Sequence, residues 1–121
     1  MSLVARHLEE HGISTVILGA AIDIVEYCGV PRFVFTDFPL GNPCGKPYDK
    51  LTQHAVIDHA IDLLVKADAP RTTIQTPFTW SDNLDWKDNY MRVDDSNRQK
   101  LLGMGEHRRK AQTAVKEKHR P

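Results

Sequence analysis

The sequence predicts an α/β fold: a partial parallel sheet of two strands with three flanking helices, then an extended aromatic arm and a C-terminal helix. Three observations predict it. Through residue 70 of the 121, short β-branched runs alternate with amphipathic stretches. Aromatic residues then mix with turn formers, and from residue 96 the chain is polar at helical spacing. The order helix, strand, helix, strand, helix implies parallel strands joined by right-handed crossovers.

The first helix is predicted by Leu3, Val4, Leu8 and His11, which fall at helical spacing behind Ser2 as a cap, with Gly12 where a chain leaves a helix at positive φ. Ile13 to Gly19 is short and apolar almost throughout, as a strand covered on both faces is. Ile22, Val25 and Cys28 recur on one face of a short second helix, with Ile24 widening it and Gly29 closing it. Arg32 to Phe38 is a second strand by its aromatic and β-branched content, stopped by Pro39. From Tyr48 or Asp49 to about Ala67, the residues Leu51, Ala55, Val56, Ile61, Leu64 and Val65 give a long amphipathic helix ahead of Pro70.

Beyond Pro70, Thr72 to Trp80 reads as extended, and Ser81 to Tyr90 mixes aromatics with turn formers, an arm anchored by Phe78, Trp80, Trp86 and Tyr90. Ser96 or Asn97 is expected to cap a last polar helix interrupted at Gly103 and Gly105. The organisation expected is a Rossmann-like α/β half-domain over residues 1–70, a docking arm over 71–95 and a basic C-terminal helix or tail over 96–121. Two parallel strands leave open edges beside apolar helices, so further strands are expected from another chain or from sequence ahead of Met1.

With 40% hydrophobic and 26% charged residues the chain reads as globular, neither disordered nor collagenous. No apolar run reaches the roughly 20 residues of a membrane helix, and no secretory signal opens the chain, so a cytoplasmic location is expected. The net charge is zero but lopsided: residues 1–68 carry 5 Lys/Arg against 9 Asp/Glu, and residues 69–121 carry 11 against 7. The basic end is a generic phosphate binder by composition, yet no aromatic stacking platform is interleaved with it, so no nucleic-acid partner is expected. Cys28 and Cys44 are expected reduced, Cys28 as a small core hydrophobe. The six histidines form no metal-ligand pattern, since His54 and His59 lie off a common helical face; no metal and no organic cofactor are expected.

The loop Pro39 to Pro47 carries the most chemistry. Ligands of open α/β sheets collect outside the carboxyl ends of strands, where this loop sits ahead of a helix N-terminus. Gly41 permits close backbone approach, Asn42 and Lys46 offer donors to a substrate, Cys44 offers a thiol that a helix N-terminus would acidify, and Asp37 offers a base or orienting carboxylate. The plain alternative is that the prolines and glycines make a tight connection, with Cys44 inert and Asp37 a cap or salt-bridge partner.

From Arg6 to about Val93 the chain resembles the selenoprotein B subunits of the glycine, sarcosine, betaine and D-proline reductases of anaerobic amino-acid metabolism. The matching residues are Val4 to Val16, Gly29-Val30-Pro31-Arg32 and, above all, Pro39-Leu40-Gly41-Asn42-Pro43. The resemblance implies an oxidoreductase that reductively cleaves a C–N bond of a small amine or amino-acid substrate, glycine-type or D-proline. The attacking group is a selenolate or thiolate, regenerated by dithiol electrons. It also implies partner subunits, one pyruvoyl-containing, that bind the substrate. In such subunits the reactive selenocysteine or cysteine precedes the helix that corresponds to Ser2 to Glu10, and a helix N-terminus suits an anion there. That residue is not in this sequence, so the chain is expected to be a truncated C-terminal portion of a longer subunit. Competing readings are a non-catalytic partner subunit that completes another chain's sheet, and a small thiol redox protein using Cys44.

Overall fold

A computed structural model of the chain describes residues 1–118; the end of the expected basic helix or tail, residues 119–121, lies outside the described residues. The chain forms two compact units that divide after Lys87. The first unit holds α1 (Ser2–Glu10), β1 (Ile17–Gly19), α2 (Ile22–Tyr27), β2 (Arg32–Phe35), α3 (Lys50–Lys66) and β3 (Thr72–Gln75). A short helix, α4 (Asp85–Asn89), runs across the division, and α5 (Arg98–Lys118) belongs to the second unit.

The sheet is parallel with three strands in the order β1-β2-β3, which corrects the two-strand expectation. The third strand comes from the stretch read as the start of an arm. Thr72 to Gln75 pair with Arg32 to Phe35 in continuous parallel register. The four residues Thr72 to Gln75, three of them Thr, Thr and Gln, carry too little apolar signal to mark a strand. The beginning of the arm is therefore part of the sheet, and β1 and β2 are shorter than the apolar runs that announced them. β1 pairs only where β2 faces it, from Ile17 opposite Phe33 to Gly19 opposite Phe35.

Because β2 is central, both of its faces need cover. Phe33 and Phe35 gather Val30, Ile17 and Val25 of α2 on one face. Val34 gathers Ala60 and Leu63 of α3 on the other, with Val16, Leu18 and Ile74 beside them. The two connections step the same way across the sheet yet cover opposite faces, so they are of opposite hand, and uniform right-handedness does not hold. Gly19 lies against the fully buried Phe33: a Cβ there would stand 2.8 Å from Phe33 Cε2.

α1 ends as its sequence indicates, with Gly12 at φ 80°. It is tied to the sheet by Glu9, whose Oε1 accepts from Arg32 Nη1 at 2.8 Å, from the Thr15 hydroxyl at 2.9 Å and from the Thr15 amide. Burial pushes the Glu9 carboxyl up, but the two Thr15 donors and the Arg32 guanidinium outweigh it and hold the group below its ordinary value. Asp49 caps α3 by accepting the Thr52 amide at 3.1 Å. The Thr52 hydroxyl and amide keep the Asp49 carboxyl below its ordinary range.

In the second unit, α5 runs unbroken through Gly103 and Gly105, against the expectation of an interruption. Each glycine weakens a helix by about 1 kcal/mol relative to alanine, and the flanking Leu, Met, Glu, Arg and Lys are strong helix formers that offset it. Asn97 does not cap the helix through its side-chain oxygen in the expected way: that oxygen accepts the Asp94 amide at 3.0 Å and closes the preceding turn. The Ser96 hydroxyl and amide lower the Asp94 carboxyl there. Among the described residues no helix is long and apolar enough to cross a membrane.

Candidate functional site

The three strands end together, and their carboxyl ends are closed by two backbone bonds: the Thr36 amide donates to Gly19 and the Thr76 amide to Phe35, each at 2.9 Å. Both threonines are buried, and the Thr76 hydroxyl donates to the Thr36 hydroxyl at 3.3 Å. Immediately beyond this floor Asp37 emerges half-exposed and meets Lys87, Oδ2 to Nζ, at 2.5 Å. A cleft of about 190 Å³ opens here, lined by Asp37, Gln75, Thr76, Pro77, Trp80 and Trp86 among others. The Lys87 ammonium also stands 5.6 Å from the centre of the Trp86 ring.

Two of the aromatic anchors rest on the chain's own sheet unit. Trp80 meets Phe38 edge-on with ring centres 5.4 Å apart, and Phe78 tilts against His59 at 5.9 Å. Phe38 is buried although the strand has already ended at Phe35, because neither neighbour extends far enough to pair with it. The segment after β3 thus forms one wall of the cleft, a site element that composition alone marks only as aromatic.

The loop residues are held differently. Asn42 turns back on its own loop, its Nδ2 donating to the Pro39 carbonyl at 3.3 Å beside the backbone bond from its amide at 3.1 Å. Gly41 has φ 96° and lies exposed. Gly45 has φ 112° and presses on α3, where a Cβ would stand 3.1 Å from the Gln53 amide nitrogen. Gln53 Nε2 reaches the Lys46 carbonyl at 2.7 Å, so the loop is pinned to the first turns of α3. Cys44 is exposed on this loop and Cys28 is half-buried at the end of α2; neither is bridged. The cap of α3 is Asp49 and not a loop thiol.

The structure therefore brings Asp37 into a cleft with Gln75, Thr76, Trp80 and Trp86, while Gly41, Asn42, Cys44 and Lys46 are not among the residues lining it. Lys87 is the partner that sequence reasoning missed. Fifty positions separate it from Asp37, and no local pattern links a strand-end aspartate to a lysine on a short helix. Among the described residues no group of His, Cys, Asp and Glu is arranged to hold a metal ion. The chemistry available is that of a carboxylate that lines a half-apolar cleft and is paired to the Lys87 ammonium: charge pairing to a small polar ligand, and proton transfer at Asp37.

No family model matches the chain, and no solved structure does. The chain is 30% identical over 78 residues to the D-proline reductase subunit gamma of Acetoanaerobium sticklandii, a match that covers 64% of this chain and 32% of that subunit. It thus spans about a third of the length of the curated relative it matches, and the similarity marks a distant relationship to a reductase subunit.

Proposed function

We propose that this chain is a subunit, or the C-terminal part of one, of a selenium- or thiol-dependent cytoplasmic reductase that cleaves a C–N bond of glycine-type or D-proline substrates. The observation that carries the reading is the 30% identity to a D-proline reductase subunit over 78 residues, a stretch long enough to include most of the sheet unit. In this reading the carboxyl end of the sheet is the reacting face. The Asp37 and Lys87 pair orients an amine or amino-acid substrate at the cleft, and the loop with Gly41, Asn42, Cys44 and Lys46 faces the nucleophile. In the same reading the attacking selenium or sulfur is supplied by a residue other than these 121. Two electrons from a dithiol and two protons complete the cleavage, leaving the amine and a C–H bond in place of C–N.

The test is to isolate the tagged chain anaerobically from its native cells and to assay the purified assembly. With a dithiol as electron donor, loss of D-proline, glycine, sarcosine or betaine is expected. An assembly that reduces none of the four sinks the proposal.

A second reading has one observation in its favour. β1 and β3 are edge strands with unpaired outer sides among the described residues, so a non-catalytic role in completing another subunit's sheet fits the architecture equally. An assembly that keeps its reductase activity after this chain is stripped from it would favour that role.

A further inference from the structure

α3 and α5 carry the same spacing of outward residues. On α3, Leu51, His54, Asp58, Ile61 and Val65 fall at i, i+3, i+7, i+10 and i+14; on α5, Leu101, Met104, Arg108, Ala111 and Val115 fall at the same intervals. This is the a/d pattern of two helices that pack lengthwise. None of it faces the core of its own unit: α3 packs on the sheet through Val56, Ala60 and Leu63, while Leu51 is 85% exposed, Ile61 55% and Val65 78%. A helix apolar on both sides is normally covered on both. On α5, Leu101, Met104 and Val115 are likewise exposed. Open grooves run beside them, one lined by Leu101, Gly105 and Arg108 and the next by Arg108, Ala111 and Val115. Gly105 lowers the wall of the first groove, which suits a knob from a facing helix.

The middle position of each stripe is charged, and the charges are opposite: Asp58 on α3 and Arg108 on α5. Each stands seven residues from either end of its stripe, so in whichever direction the helices lie, matching the ends sets Asp58 against Arg108. Neither is engaged in an ion pair among the described residues. The wider charge agrees. Residues 1–87 carry 7 Lys/Arg against 11 Asp/Glu, and residues 88–121 carry 9 against 5. Two α5 helices, each with seven Lys/Arg against two Glu, repel each other, whereas the acidic unit that carries α3 attracts α5, and on α3 itself Lys50 and Lys66 stand at the ends with Asp58 between them.

We propose that two copies of this chain form a reciprocal dimer in which α5 of each copy lies along the outer face of α3 of the other, with Asp58 paired to Arg108 at the centre of both seams. The apolar contacts supply the attraction, and the central pair fixes register and partner, because a shift of one heptad leaves Asp58 opposite Leu101 or Val115 and Arg108 opposite Leu51 or Val65.

Sedimentation equilibrium of the full chain at low salt tests it. The wild type is expected to be a dimer. D58R and R108D are each expected to weaken association at least about tenfold, with helicity by circular dichroism unchanged. Mixing the two variants sets the two substituted side chains against each other on one seam, with their charges exchanged, and keeps the native pair of Asp58 and Arg108 on the other. A heterodimer of wild-type strength is therefore expected, as is a dimer of the double variant. The proposal is overturned by a monomeric wild type, by a dimer indifferent to both substitutions, or by variants that stay monomeric when mixed. If the chain instead binds only a different subunit, wild-type sedimentation alone is monomeric and the proposal also falls. None of these readouts depends on reductase activity.

Discussion

Lys87 Nζ stands 2.5 Å from Asp37 Oδ2, joining a residue just past the central strand to a short helix fifty positions later. The pair is partly exposed, 41% and 36%, and such pairs contribute about 0–1 kcal/mol to stability. Asp37→Asn is expected to leave the unfolding free energy within about 1 kcal/mol of wild type and, on the proposed function, to lower the reductive turnover of the assembly about a hundredfold. Equal turnover in the variant would remove Asp37 from the chemistry.

Cys44 offers a sharper division between nucleophiles. On the proposed function the attacking atom is not Cys44, and Cys44→Ser is then expected to change the turnover of the assembly by less than about twofold. A collapse of activity, together with alkylation of Cys44 faster than an ordinary exposed thiol, would instead make it the nucleophile.

Glu9 is one of three carboxylates, with Asp49 and Asp94, held below their ordinary values, and the one of the three that ties α1 to the sheet. Its folded pKa lies below the ordinary 4.5, so its contribution is complete above that value and fades as pH falls through the lower folded one. Glu9→Gln keeps the shape but loses the charge-assisted bonds to Arg32 and Thr15, and about 1–2 kcal/mol of stability at neutral pH is expected to go with them. Urea unfolding between about pH 3 and 7, values chosen to bracket that carboxyl, should show a shallower acid-side fall in the variant. Parallel curves would mean that Glu9 is not the responsible group.

Gly19→Ala tests the close approach of β1 to β2. The new methyl group would meet Phe33, which is fully buried and has nowhere to move, so a loss of about 1–3 kcal/mol is expected. A neutral result would mean that the first strand yields easily.

The two sides of α3 should answer differently to truncation. Leu63→Ala removes a buried side chain from the Val34 face and is expected to cost about 2–5 kcal/mol. Ile61→Ala, measured in dilute solution, is expected to stay within about 0.5 kcal/mol because it lies on the outer face.

What the sequence made readable was whatever is local. α1 with its Gly12 exit and α3 with its Asp49 start are written in capping residues and periodicity, and both form within a residue or two of the expected bounds. β3 was illegible because Thr72 to Gln75 become a strand only through Arg32 to Phe35 beside them. The ends of β1 and β2 depart from their apolar runs for the same reason: Ile13 is apolar but exposed, with no strand opposite it, and Phe38 is buried without a ladder. In the candidate site, the loop from Pro39 to Pro47 announced itself by its prolines and glycines. The cleft did not, because Asp37 meets Trp80 and Trp86 there, and its partner Lys87 nearby, only through tertiary folding.

The brevity of β1 and β3 has a bearing on what can join this protein. A visiting strand gains backbone bonds along only three residues on one rim or four on the other, too few to seed runaway polymerisation. Any lasting extension of either rim must therefore be recognised by its side chains.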